Sequence, residues 1–167
     1  MSGHSKWSSI KHKKGITDQK RGQLFSKLSK NITLAARGGT DPKMNSALAN
    51  AIEQARAANM PKDNIERAIK KLSDKSAAQL QEIVVEAIGP GDVALRIKAV
   101  TDNSNRTISE IKKILVAHET KMVQPGSVAW MFNTPATIGE EDQVKLDKLF
   151  EALDDQDDVD DVMSNLG

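Results

Sequence analysis

Residues 82–101 read Glu82-Ile83-Val84-Val85-Glu86-Ala87-Ile88-Gly89-Pro90-Gly91-Asp92-Val93-Ala94-Leu95-Arg96-Ile97-Lys98-Ala99-Val100-Thr101. From Val93 the pattern alternates. Val93, Leu95, Ile97 and Ala99 fall on one side, and Ala94, Arg96 and Lys98 on the other, the period of a strand with one buried face. Residues 82–88 are strand-like as well. Gly89-Pro90-Gly91-Asp92 between them is turn chemistry, so the two runs form a hairpin.

Upstream of this hairpin the period is helical. Thr17 is a candidate N-cap with Asp18 in the first turn, and a helix is expected from there to about Arg37. Its apolar stripe is Leu24, Leu28, Ile32 and Ala35, widened by Phe25, and Gly38-Gly39 stops it. Asn45 can cap a second helix with Leu48, Ile52 and Ala55 on one face, broken by Met60-Pro61. A third helix begins at Pro61, where a missing N–H costs nothing, with Asp63 in its first turn and Ile65, Ile69 and Leu72 as its stripe. Residues 16–75 thus read as a three-helix domain. The polar stretch 73–81 reads as a linker.

Downstream, Thr107 and Glu110 have capping-box spacing and start a helix with Ile108, Ile111 and Leu115 on its face. Residues 126–132 read as a strand with Val128, Trp130 and Phe132 on one side. Residues 140–154 read as a helix with Val144, Leu149 and Leu153 inward, its dipole suited by Glu140, Glu141 and Asp142. Residues 159–164 make a weak last strand. The order ββαβαβ gives a small α+β domain over 82–167, so the fold class is α+β: a helical domain followed by an α+β one.

Composition bounds the chemistry. The 167 residues contain no Cys, which excludes disulfides, Cys-based zinc sites and thiol catalysis and fits a reducing, cytoplasmic setting. With 3% aromatics and no Tyr, the core must be aliphatic. No apolar run approaches the roughly 18–20 residues of a membrane span, so no membrane partner is expected. The N-terminus has a signal peptide's charge without its apolar stretch. It is also free of acids up to Asp18, as a mitochondrial presequence is, but has no Arg before Arg21 and little amphipathic pattern.

The net charge of +1 conceals a gradient. Residues 1–75 carry 16 Lys/Arg against 6 Asp/Glu, residues 76–139 carry 6 of each, and residues 140–167 carry 2 against 11. The front is suited to a polyanion, and the rear would be repelled by one.

Residues 1–15 read as a flexible basic arm. Lys6, Lys11, Lys13 and Lys14 are positioned to meet phosphates, with His12 able to add charge. Trp7 either stacks on a base or docks onto the helical domain to anchor the arm. The alternative for the whole arm is a solvated tail without a specific role. Lys20, Arg21, Lys27 and Lys30 extend the basic surface along the first helix; Lys20 and Lys27, seven apart, share a face, as the polar face of any amphipathic helix also would.

In the third helix Lys62, Asn64, Arg67, Lys70 and Lys71 form either a second nucleic-acid face or a solvent surface where Glu66 pairs with Lys70. Asp102-Asn103-Ser104-Asn105-Arg106-Thr107 lies between a strand end and a helix start, where free N–H groups and Arg106 favour an anion; the alternative is a loop that caps its own helix. No catalytic residues, metal site or cofactor are expected. The His residues lack partners at catalytic spacing, and the carboxylates of 154–161 lack the EF-hand pattern. The acidic end is read as repelled by nucleic acid or as contacting a basic protein partner.

Several segments together resemble the YebC/PmpR family, which includes the mitochondrial translational activator of cytochrome c oxidase subunit I. They are Gly3-His4-Ser5-Lys6-Trp7 with Ile10-Lys11-His12-Lys13-Lys14, and Ala57-Ala58-Asn59-Met60-Pro61-Lys62-Asp63-Asn64-Ile65-Glu66-Arg67-Ala68-Ile69-Lys70-Lys71. Further on come Gly89-Pro90-Gly91, Thr101-Asp102-Asn103 with Asn105-Arg106-Thr107, Gly126-Ser127-Val128-Ala129-Trp130-Met131-Phe132, and the acidic close. The resemblance implies a helical N-terminal domain and an α+β second domain. Longer members insert a ferredoxin-like third domain into the second. Here Phe132 leads through Asn133-Thr134-Pro135-Ala136-Thr137 almost directly into the last helix, so the insert is expected to be absent, as in a natural short paralogue or an engineered deletion.

The resemblance also implies a non-enzymatic nucleic-acid-binding regulator. The favoured form is an RNA- and ribosome-binding translation factor that assists difficult elongation such as proline stretches, cytoplasmic, or in the mitochondrial matrix of a eukaryote. That form links bacterial and mitochondrial members and suits a chain with no evident base-reading helix. The alternative is a DNA-binding transcriptional regulator. A third reading is a protein-interaction module that works through the acidic end.

Overall fold

The computed structural model describes residues 17–167. They divide into two compact units: residues 17–81 with 100–103, and residues 82–99 with 104–167.

In the first unit, helix α1 (Asp18–Ala35) starts where Thr17 caps it, the Thr17 hydroxyl accepting from Lys20 N at 3.3 Å. It ends in a 3-10 turn, Ala36–Gly38, followed by Gly39 at φ 135°. Helix α2 (Ser46–Ala57) is capped by Asn45, whose Oδ1 accepts from Leu48 N at 3.2 Å. The Asn45 Nδ2 donates to the Ala35 and Gly39 carbonyls at 2.7 and 2.8 Å, so one side chain closes α1 and opens α2. Helix α3 (Lys62–Lys70) follows, with Pro61 as its cap residue, one position outside the helix rather than first within it.

The core of this unit is aliphatic: Leu28, Ile32, Ala36, Leu48, Ile52, Ala55, Met60, Ile65 and Ala68. The Thr33 hydroxyl donates to the Ala68 carbonyl at 2.7 Å and ties α1 to α3. The stretch expected as a polar linker is instead two 3-10 turns, Lys71–Ser73 and Lys75–Gln79. Ala77 and Leu80, three apart, are both buried, and the Arg37 guanidinium donates to the Ala77 carbonyl. Two small anchors and one cross-link are enough to order a polar segment.

The second unit carries a four-stranded sheet in the order β3-β1-β2-β4. Strands β1 (Gln81–Gly89) and β2 (Val93–Thr101) form the centre, joined by Pro90–Asp92 with Gly91 at φ 75°. A Cβ at Gly91 would lie 2.6 Å from Ile138 Cγ2, so both the turn and the packing require glycine. Strand β3 (Lys121–Val123) pairs antiparallel with β1, and β4 (Val159–Ser164) antiparallel with β2. Helices α4 (Ser104–Ala117) and α5 (Glu140–Asp154) complete the ββαβαβ order. Val85, Ala87, Leu95 and Ile97 pack with Ile111 and Leu115 of α4 and with Leu146, Leu149, Phe150 and Leu153 of α5. Only residues 134–139 separate the turn ending at Asn133 from α5, and no further domain intervenes.

Three local expectations are corrected. The third strand is 121–123, and 126–132 is not a strand: Gly126 takes φ 90° and Ala129–Asn133 forms a 3-10 helix. Val128 and Phe132, four apart, pack with Ala94 in a small second cluster, and Trp130 between them points out, 69% exposed. Period 2 and spacing 4 select the same two anchors, and the turn at Gly126 decides between them. Helix α4 starts at Ser104, so Thr107 lies inside it and does not cap it. Val144 is 52% exposed, and the inward residues of α5 are Leu146, Leu149, Phe150 and Leu153.

Candidate nucleic-acid interface

The first unit's surface chemistry follows from how α1 and α3 are packed. Over 17–81 there are 12 Lys/Arg against 6 Asp/Glu. Lys20 and Arg21 are exposed in the first turn of α1, and Arg21 pairs with Asp18 at 3.3 Å. Lys27 does not share their exposure. It is buried, 5% accessible, beside Leu28, because α1 packs against both α2 and α3 and little of its circumference is left to solvent. Spacing of seven put Lys20 and Lys27 on one line, but that line enters packed protein before it reaches Lys27. Lys27 is therefore removed from the exposed set.

Helices α2 and α3 are joined by four residues, 58–61, with Asn59 at φ 63°. The Met60 N–H returns to the Ala55 carbonyl at 2.9 Å and closes the turn. This is the connection length of a helix–turn–helix pair, in which the second helix presents its outer face. On α3 the buried side is Ile65 and Ala68, and Lys62, Glu66, Arg67 and Lys70 are exposed. Lys71, in the following turn, is exposed too. Arg67, Lys70 and Lys71 gather at the C-terminal end, where cations also suit the helix dipole.

Glu66 pairs with Lys62, at 3.9 Å, and not with Lys70 as the spacing also allowed. Arg67 folds back on its own helix, donating to the Asn64 side chain and, at 3.4 Å, to the Asp63 carbonyl. The cations of α3 are thus exposed and held only by weak local contacts.

Arg106 is different. Its guanidinium donates to Asp158 Oδ2 at 2.7 Å, and that carboxylate is buried. The Thr107 hydroxyl donates to the same oxygen at 2.8 Å, and Gln156 Nε2 at 3.3 Å. The Gln156 Oε1 accepts from the Asp158 and Val159 N–H groups, and its amide reaches Glu110 at 2.7 Å. Arg106 is therefore a strut between α4 and the loop leading into β4, already supplied with a carboxylate while its side chain stays half exposed. Glu110, taken for half of a capping box, serves this network instead. Asp158, one of the carboxylates of the acidic end, is thus buried in this network.

Two further cations of the second unit, Arg96 and Lys98, are also paired across strands. Glu86, buried on β1, accepts from Arg96 at 3.3 Å and from the Gly126 N–H, while Arg96 lies 4.8 Å over the Phe132 ring. Lys98 bridges Asp160 at 3.2 Å and Glu82 at 3.8 Å. Burial pulls the Lys98 pKa down, but Asp160 and then Glu82 outweigh it and hold the value above that of an ordinary lysine.

Lys6, Trp7, Lys11, His12, Lys13 and Lys14 lie outside the described residues. Among the described residues no group of His, Cys, Asp or Glu is arranged to hold a metal ion, and no helix is long and apolar enough to cross a membrane.

Comparison with known proteins adds independent observations. Residues 5–75 match the TACO1/YebC protein N-terminal domain, and residues 80–138 match the TACO1/YebC second and third domain. A protein of Trichlorobacter lovleyi named probable transcriptional regulatory protein is 49% identical over 154 residues, covering 91% of this chain. Proteins of Geobacter sulfurreducens and Petrotoga mobilis with the same kind of name are 48% and 49% identical. The chain spans about 62% of the length of these relatives. A crystal structure of a conserved hypothetical protein from Aquifex aeolicus superposes with a TM-score of 0.82 at 31% identity, over 98% of this chain and 97% of that one.

Proposed function

The chain belongs to the TACO1/YebC family, and on that premise we propose that it is a non-enzymatic, nucleic-acid-binding regulatory protein that acts in transcription. The observation that carries the reading is the α2–turn–α3 pair. A four-residue link sets a nine-residue helix whose exposed face offers Arg67 and Lys70, with Lys71 just beyond. Such a helix can enter a major groove, where Arg reads guanine and Asn reads adenine; Asn64 and Arg67 are those side chains, one turn apart. Lys20 and Arg21 supply the phosphate contacts that position without reading sequence. The names of the relatives support the same class of function.

A second reading is RNA binding on the ribosome in support of translation. It draws on one specific observation: Arg67 and Asn64 are bonded to each other, so neither reads a base edge until that contact breaks. A surface whose readers are mutually engaged suits a partner recognised through its backbone.

A mobility-shift titration at fixed physiological salt decides between them, using promoter DNA, scrambled DNA and ribosomal RNA with the full chain. The transcriptional reading expects promoter DNA to bind roughly 10³-fold or more tighter than scrambled DNA, the lower end of specific recognition. Equal, weak binding to both DNAs with tight binding to ribosomal RNA replaces it with the second reading. No binding to any of the three contradicts both.

A further inference from the structure

Arg96 and Arg106 are each held by a carboxylate, whereas the contacts of Arg67 are to neutral groups. Its guanidinium donates through Nη2 to Asn64 Oδ1 and through Nε, at 3.4 Å, to the Asp63 carbonyl. The Asp63 carboxylate sits at a spacing that suits an ion pair, yet Arg67 takes the Asp63 backbone oxygen instead. A neutral contact in water is a weak one and opens at little cost.

The contacts also choose particular atoms. Nε–H and the Nη2–H beside it leave one edge of the planar guanidinium, and such a donor pair can meet O6 and N7 of guanine together. Asn64 is engaged through its side-chain oxygen, the atom that would accept from N6 of adenine. Each side chain thus occupies reading atoms of the other. Arg67 is exposed and Asn64, three residues before it, is half-buried, so the amide is the fixed half of the pair and the guanidinium the movable one.

Resting on the transcriptional reading above, we infer that Asn64 and Arg67 form a latch that duplex DNA opens at both ends only where guanine and adenine lie close together in the groove. Parting the pair releases a donor edge on Arg67 and an acceptor on Asn64. A phosphate or a guanine alone takes up Arg67 and leaves Asn64 to water. Guanine beside adenine takes up both. On other sequences Arg67 is partly withheld, and apparent affinity falls in proportion to the fraction of open latch. Asn64 is therefore a specificity-determining residue twice over, as a reader and as the group that restrains Arg67 elsewhere.

Titration of the full chain, followed by fluorescence anisotropy, tests this on three short duplexes: alternating dG and dA paired with dT and dC, dG paired with dC, and dA paired with dT. The parent chain is expected to bind the alternating duplex roughly tenfold or more tighter than either uniform one, within the range of one bidentate base contact. Asn64→Ala is expected to bind the uniform duplexes roughly two- to tenfold more tightly than the parent chain, the range of one lost hydrogen bond, and to lose the preference for the alternating duplex. Adding Arg67→Ala to Asn64→Ala should abolish that gain, which a general effect of alanine on the helix would not do. The latch is overturned if Asn64→Ala binds the uniform duplexes no more tightly than the parent chain, if the gain survives Arg67→Ala, or if the parent chain binds all three duplexes alike. No binding to any of the three contradicts the DNA reading itself, and the inference with it.

Discussion

Two sets of cations, one in each unit, are held in opposite ways. In the first, cations stand on helix ends and are held by weak local contacts: Lys62 with Glu66 at 3.9 Å, and Arg67 with its own helix. In the second, the cations Arg96, Lys98 and Arg106 meet carboxylates of other elements, two of which, Glu86 and Asp158, are buried. Burying a carboxylate commits its cation to the fold, because an unpaired buried charge is too costly to leave. An exposed cation on a helix end contributes little to stability and stays available to a phosphate. Arg96 and Arg106 are thus struts, the exposed cations of α1 and α3 are candidate contacts, and burial of the partner is what separates the two sets.

The strongest way to break this contrast is at Asp158. Asp158→Ala leaves Arg106, Thr107 and Gln156 without their shared acceptor and is expected to cost about 3 kcal/mol, the low end for breaking a buried pair because Arg106 itself is half exposed. Denaturant unfolding of the full chain measures it; a cost below about 0.5 kcal/mol, the level of an ordinary surface change, removes the strut.

Gly91→Ala comes next, at about 2 kcal/mol from the left-handed backbone and the clash with Ile138. A melt unchanged from the parent chain would show that the hairpin turn relaxes freely.

Thr17, Asn45, the stripes of α1 to α3 and the alternation of β2 were all readable because each rests on local chemistry: a cap, a period, a turn. What was not readable depends on partners far along the chain. Arg106 and Asp158 are 52 residues apart, and nothing in either neighbourhood announces the other. Lys27 looked like Lys20 until two helices were packed on α1. At 126–132 the alternation of Val128, Trp130 and Phe132 was a real signal of two buried anchors, assigned to the wrong element; the exposure of Trp130 follows from that error. The cations of α3 were legible as exposed, since Ile65 and Ala68 define the opposite side. Their pairing was not, because Lys62 and Lys70 are both four residues from Glu66.

Smaller effects sharpen the contrast. Arg67→Ala is expected to change stability by less than about 0.5 kcal/mol while weakening nucleic-acid binding. If it weakens binding on one sequence far more than on others, Arg67 reads a base; uniform weakening assigns it to phosphate.

The pH response should be the smallest. The Lys98 pKa is raised in the folded chain, so its stabilising contribution is complete below the ordinary lysine value of 10.5 and is lost as pH rises through the higher folded value. Unfolding followed from pH 9 upward should show a shallow loss in that alkaline range that Lys98→Met removes. Because Lys98 is 41% exposed, the loss is expected to be slight. An identical alkaline slope in Lys98→Met would detach the bridge from stability.

The central claim is that the exposed cations of the helical unit, and not the paired ones of the α+β unit, meet phosphate. The slope of log affinity against log salt tests it most directly, measured on duplex DNA for the parent chain, for the combined Lys20→Ala, Arg67→Ala and Lys71→Ala variant, and for Arg106→Ala. Three lost phosphate contacts should flatten the slope by about 2.7, and Arg106→Ala should leave it unchanged. A slope unaltered in the triple variant, or flattened by Arg106→Ala alone, would contradict the account.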